Sequence, residues 1–183
     1  MGASEPGQST RQNRGAVPRG ELVVDVTWRC DRWRDEVSEE LLAGAARAAF
    51  AACDQDCGTA ELSLLLCDDV EIRKLNRDWR GKNDPTNVLS FPLDGVPCAQ
   101  GPRALGDVAL AYGTVLREAL QQGMPVHQHA THLVVHGVLH LMDYDHMSET
   151  DAREMEALET RILAELGFPD PYAPQLVANG EER

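Results

Sequence analysis

Apolar positions along the chain fall into runs of two different periods, and together they predict four strands and five helices. Glu21 to Trp28 sets Val and Thr at β-branched positions and reads as a first strand. Glu36 to Ala52 carries Leu41, Leu42, Ala45, Ala48 and Ala49 as one helical stripe. Glu61 to Cys67 alternates and then runs apolar, as a strand buried at one end does. Asp68, with Glu71 three residues on, opens the next helix with capping-box spacing, and Ile72, Leu75 and Trp79 form its inward face. Thr86 to Leu93 is a third strand, which Pro92 assigns to a sheet edge or a strand end. Gly106 to Tyr112 is a fourth strand, and Thr114 to Gln122 a short helix ended by Gly123. Pro125 stands near the start of a strongly apolar helix. Ser148 caps a last helix with Met155, Leu158, Ile162 and Leu166 inward, which Gly167 and Pro169 terminate. The order β-α-β-α-β-β-α-α-α implies an α/β (α+β) fold, with a small mixed four-stranded sheet packed against about five helices.

Polarity divides the chain as clearly as periodicity does. Residues 1–20 are rich in Gly, Ser, Pro, Gln and Arg and read as a disordered extension, 21–172 as a single domain, and 173–183 as a loose tail. No apolar run approaches the roughly 18 residues of a membrane span, and the N-terminus lacks the apolar core of a signal peptide. Five cysteines, Cys30, Cys53, Cys57, Cys67 and Cys98, are odd in number and form no CxxC pair. They read as reduced thiols in a cytosolic protein.

One helix carries candidate chemistry. In THLVVHGVLHLMDYDH, residues 131–146, His136 and His140 are four apart and therefore about 40° apart on one helical face. A continuing helix would carry His146 about 9 Å further along the axis and around the far side. A break just after Met142 would return it, and Asp143-Tyr144-Asp145 suits such a turn because Asp tolerates left-handed backbone. Three converging imidazoles with a fourth position open fit a catalytic zinc site, since structural zinc is normally held by four protein ligands. His127 and His129, near the helix start, read as surface residues.

Net charge changes the picture. At −13 the chain is not a general nucleic-acid binder, so any contact with RNA must use a local basic surface. Arg73, Arg77 and Arg80 fall on one helical face with Lys74 beside it and Lys82 just after, a pattern that also fits an ordinary solvated face.

These motifs resemble a known family. HGVLHLMDYDH is similar to the HGxLHLxGYDH signature of the YbeY family, bacterial metal-dependent endoribonucleases of ribosomal RNA maturation. LNRDWRGKNDPTNVLSFP resembles its second block, LGDVALAY its LGDI strand, and MEALETRILAELGFPDPY its C-terminal helix. The likeness runs from Glu21 to Tyr172 and departs at Asp143, where the family has Gly, and at Asn83-Asp84, where it has an acidic and then a basic residue. The resemblance implies a zincin-like metal helix, one Zn2+ per chain on His136, His140 and His146, and Arg80 in the place of the family's functional Arg. It further implies cleavage of single-stranded ribosomal RNA, the small ribosomal subunit as partner, and a cytoplasmic location.

The implied chemistry is hydrolytic. A three-histidine zinc site lowers the pKa of bound water to about 7 and polarises a phosphoryl oxygen. Arg80 would clamp a phosphate with its planar, always-charged fork, while Arg73, Arg77 and Lys82 extend the binding surface. His132, one turn before His136, and Asp145 are the candidates for general base; His132 also fits a supporting or packing place behind the ligands. Two other classes share the motif. HxxxHxxxxxH has the spacing of the HExxHxxGxxH metallopeptidases, with Gly137 in place of their catalytic Glu and Asp143 in place of their Gly. A ribosome-associated binding factor with a structural zinc is the third reading. Mid-helix Gly137 costs about 1 kcal/mol relative to Ala, which implies a close approach by substrate, strand or helix.

Overall fold

The computed structural model describes residues 20–53, 58–93 and 102–173. Most of the N-terminal extension and of the C-terminal tail expected from the sequence lies outside them. The strands are β1 (Leu22–Trp28), β2 (Ala60–Cys67), β3 (Val88–Pro92) and β4 (Arg103–Ala111), in the spatial order β1-β2-β4-β3. β1, β2 and β4 run parallel, and β3 pairs antiparallel with β4. The expected small mixed sheet is therefore present, with β3 at its edge and Pro92 as the last residue of that edge strand. The helices are α1 (Glu39–Ala52), α2 (Asp69–Arg80), α3 (Tyr112–Gln121), α4 (Val126–Leu141) and α5 (Glu149–Glu165).

Side-chain alternation sorts the two sheet faces. In β2, Ala60, Leu62, Leu64 and Leu66 are buried, while Glu61 and Ser63 point outward. The buried set joins β1, β4, α1, α3, α4 and α5 in the main core. On the opposite face a smaller cluster of Cys67, Ile72, Leu89, Ala109 and Ala111 lies under α2. α4 is central, packing on α1, α3, α5, β3 and β4. The close approach implied by Gly137 is to the sheet: a Cβ there would stand 2.9 Å from Val108 Cγ1 and 3.0 Å from Ser90 Oγ. Gly106 serves a second close approach, since the β2–β4 register shifts beside it and a Cβ would meet Phe91 O at 2.4 Å.

Two expectations need correction, and one element was not expected. A 3₁₀ turn at Asp31–Asp35 precedes α1 and delivers Trp33 to the core, where its Nε1 donates to Cys67 O at 3.0 Å. Trp79 follows the inward stripe of α2 yet is 73% exposed. α2 leans on β4 and α3, a groove opens between its last turn and the sheet, and the indole meets Phe91 of the edge strand instead of the core. His129 is buried, not on the surface, because α3 packs over it and Glu118 there lies 2.8 Å from its Nε2. His127 is exposed as expected.

Candidate metal centre

α4 brings His136 and His140 together, and the turn after it returns His146. Asp143 takes φ 67°, the left-handed conformation. Its N–H donates to His140 O at 3.3 Å and the Tyr144 N–H to Leu139 O at 3.1 Å, the two bonds of a Schellman stop. This turn reverses the chain and also holds the ligand helix's last histidine: Tyr144 O lies 3.0 Å from His140 Nδ1. One ligating atom from each of His136, His140 and His146 lies within 4.8 Å of the others.

The state of these nitrogens tests whether a metal fits. His136 Nδ1 is 2.7 Å from Glu159 Oε1, and His132 Nε2 is 2.8 Å from Glu159 Oε2. The Tyr172 hydroxyl donates to the same Oε2. Burial pushes the Glu159 carboxyl up, but the bonds from His132, His136 and Tyr172 outweigh it and hold the pKa at about 2. As an ion Glu159 only accepts, so both histidines donate to it. Burial, then the neighbouring His136 and His146, hold His140 below the usual histidine range. Its Nδ1–H is given to Tyr144 O. The remaining nitrogens, His136 Nε2 and His140 Nε2, face each other at 3.0 Å. Two bare lone pairs at that distance repel unless a cation or a proton stands between them. A shared proton would leave the third imidazole without a part, whereas a metal ion takes three such ligands in a catalytic site, and His146 supplies the third. The donor set fits a divalent metal.

The three histidines border a cavity of about 430 Å³ with Arg80, Asn87, Val88, Ser90 and Pro92. Arg80, distant in sequence, thus reaches the same space, and its Nη2 donates to Ser90 O at 3.3 Å. Asn87 is fixed there by donating to Glu118 Oε2 at 2.9 Å. The other sequence candidates lie elsewhere. Arg73 Nε donates to Asn83 Oδ1 at 3.0 Å, tying the following loop to α2, and Arg77 pairs with Asp78 at 2.7 Å. Lys82 is exposed in that loop. His132 stands behind Glu159. Asp145 accepts from the Met147 N–H at 2.9 Å and borders a separate depression with Asp151 and Glu154. Neither candidate base borders the histidine cavity.

Local sequence patterning does not single out Glu159, Tyr172 or Asn87. One signal for Glu159 was present: it lies four residues after Met155 and three before Ile162, a carboxylate on the apolar stripe of α5.

Fold and site define the class: a mixed-sheet α/β protein whose central helix presents a three-histidine cluster able to hold a metal, beside an arginine. The chain belongs to the YbeY family, described as Endoribonuclease YbeY and matched over residues 28–167. An Endoribonuclease YbeY of Nitrobacter hamburgensis is 48% identical over 165 residues, covering 87% of this chain and 85% of that protein. One of Rhodopseudomonas palustris is 49% identical over 171 residues, with 89% and 86% covered. One of Paramagnetospirillum magneticum is 48% identical over 161 residues, with 85% and 97% covered. The fold is shared with the solution structure of TM1509 from Thermotoga maritima, at a TM-score of 0.52 and 20% identity, covering 83% of this chain and all of that one. Among the described residues no helix is long and apolar enough to cross a membrane.

Proposed function

We propose that this protein is a zinc-dependent endoribonuclease that hydrolyses phosphodiester bonds in single-stranded RNA, and that it matures small-subunit ribosomal RNA in the cytoplasm. The observation that carries the reading is the facing Nε2 atoms of His136 and His140, 3.0 Å apart, in one cavity with His146 and Arg80. The ribosomal substrate rests on the family resemblance.

His136, His140 and His146 would hold the ion, which when bound supplies Lewis-acid polarisation and activation of water. The chain's own groups do the rest. Glu159 fixes the His136 ring and keeps its Nδ1 protonated, which leaves Nε2 free as a ligand. His132 and Tyr172 steady that carboxylate from behind. Arg80 binds the phosphate and meets the negative charge that gathers on its oxygens during attack. Arg73 and Lys82, exposed on α2 and the loop after it, continue the basic surface away from the cavity; Asp78 offsets much of the charge of Arg77.

The peptidase alternative loses its general base. The position equivalent to the catalytic Glu is Gly137, whose Cα faces Val108 and Ser90 with no room for a carboxylate. The test is turnover of a labelled, unstructured RNA: cutting should stop on chelation and return with zinc. Absence of cutting by fully metal-loaded protein would remove the nuclease reading.

A further inference from the structure

β3 is shared by two cavities. Val88, Ser90 and Pro92 recur at every second residue and border the histidine cavity, whereas Phe91 turns to the opposite sheet face. On that face a groove of about 760 Å³ lies between the sheet and α2. Its apolar surfaces come from Leu65, Leu75, Phe91 and Ala109, and Trp79 stands at its side. The two cavities meet at Arg80, Ser90 and Pro92, which border both. Since Arg80 bonds Ser90 O on the edge strand, its guanidinium lies across the junction.

Trp79 is the anomaly. It occupies the inward stripe of its helix, is 73% exposed, and touches Phe91 at 5.9 Å between ring centroids with a 57° tilt. An indole held half over an apolar floor, next in sequence to a phosphate-binding arginine, is the arrangement that stacks a nucleobase. Polar groups sharpen the choice of occupant. Ser63, Glu71 and Asp107 border the groove as hydrogen-bond partners, and the two carboxylates accept from the amino edges of bases. Arg29 also borders the groove and offsets part of that negative charge, so the place of the phosphate is set by Arg80, the cation that borders both cavities. An aliphatic peptide or lipid would leave those carboxylates buried without partners.

We propose that this groove receives the base of a nucleotide adjoining the scissile phosphate, stacked on Trp79, while Arg80 holds the phosphate at the junction. The proposal rests on the RNA-cleavage reading above and adds a base-binding subsite to it. In such a site the affinity comes from the π-face of the base and tolerates sequence, so the protein would discriminate presence of a base more than its identity.

The test compares binding of two single strands of equal length and charge, an RNA decamer and the same strand with abasic sugars throughout, to metal-free parent, Trp79→Ala and Trp79→Phe proteins. The parent should favour the base-bearing strand by on the order of tenfold or more. Trp79→Ala should bind both strands equally, at the parent's affinity for the abasic one, and Trp79→Phe should keep most of the preference. A preference that survives in Trp79→Ala, or is missing in the parent, overturns the proposal. So does an indole already shielded from acrylamide in the free protein, read as the quenching difference between parent and Trp79→Ala. Cleavage assays separate the two readings: zinc-dependent cutting without base preference removes the subsite alone, and base preference without cutting removes the nuclease alone.

Discussion

His129 and His136 lie about two turns apart on α4, and each sets one ring nitrogen against a glutamate. His129 Nε2 is 2.8 Å from Glu118 Oε2, and His136 Nδ1 is 2.7 Å from Glu159 Oε1. They differ in where the second nitrogen goes. Among the described residues His129 Nδ1 is sealed inside the protein with no hydrogen-bond partner, while His136 Nε2 opens on the cavity opposite His140 Nε2. A histidine–glutamate pair is thus not in itself the mark of a ligand. At His129 it ties α3, α4 and the approach to β3 together, since Glu118 also accepts from Asn87. At His136 the same pair orients a nitrogen toward a point on which two more imidazoles converge.

Breaking each pair should separate the two roles most widely. His136→Ala should strip most of the metal and nearly all RNA cleavage while the protein stays folded. His129→Ala should leave metal content intact and lower stability by about 1–3 kcal/mol, the scale for losing a buried hydrogen-bonded group. Metal analysis of the two purified variants beside their melting curves decides it. Equal metal in both would erase the distinction.

Next in size is the cavity's cation. Arg80→Ala should lower kcat/KM by on the order of a hundredfold or more with metal content unchanged. Arg80→Lys should recover only part of this, because a point charge lacks the bidentate fork. Full activity in Arg80→Ala would take the arginine out of the chemistry and leave the histidines alone in it.

Glu159 offers a finer cut. Glu159→Gln should weaken metal binding by roughly 10–100-fold, the usual effect of disturbing a ligand's hydrogen-bond partner. The variant should also respond differently to acid. The Glu159 carboxyl is held at about 2 against an ordinary 4.5, so its contribution to stability is present above pH 4.5 and lost as the pH falls toward 2. Melting temperature followed across that window should fall more steeply for the parent than for Glu159→Gln. Parallel curves would mean that the network holds no such differential.

The smallest effect is expected at the turn between the ligands. Asp143→Gly removes a left-handed non-glycine residue and should stabilise by about 0.5 kcal/mol with metal content unchanged. Loss of metal on this change would make the carboxylate part of the site, and the comparison would then concern four groups instead of three.

What the sequence determined by itself was whatever is encoded within a few residues of chain. Apolar patterning and Gly, Pro and Ser punctuation marked the four strands and five α-helices of the described residues, and Ser148 and Asp68 stand at the caps of α5 and α2 as their side chains require. The break after Met142 was legible because a left-handed stop needs only a tolerant residue at Asp143, and convergence of His146 with the other two histidines required that break. Tertiary structure decided what depends on where elements cross. It buried His129 under α3, left Trp79 at the side of the groove between α2 and the sheet, and brought Glu159, Tyr172 and Arg80 from three distant segments to one helix. A stripe of apolar residues states which face turns inward but not where the opposing surface ends. For that reason the same helical spacing buried Ile72 and exposed Trp79, and the same imidazole chemistry closed one histidine into the core and opened another to a cavity.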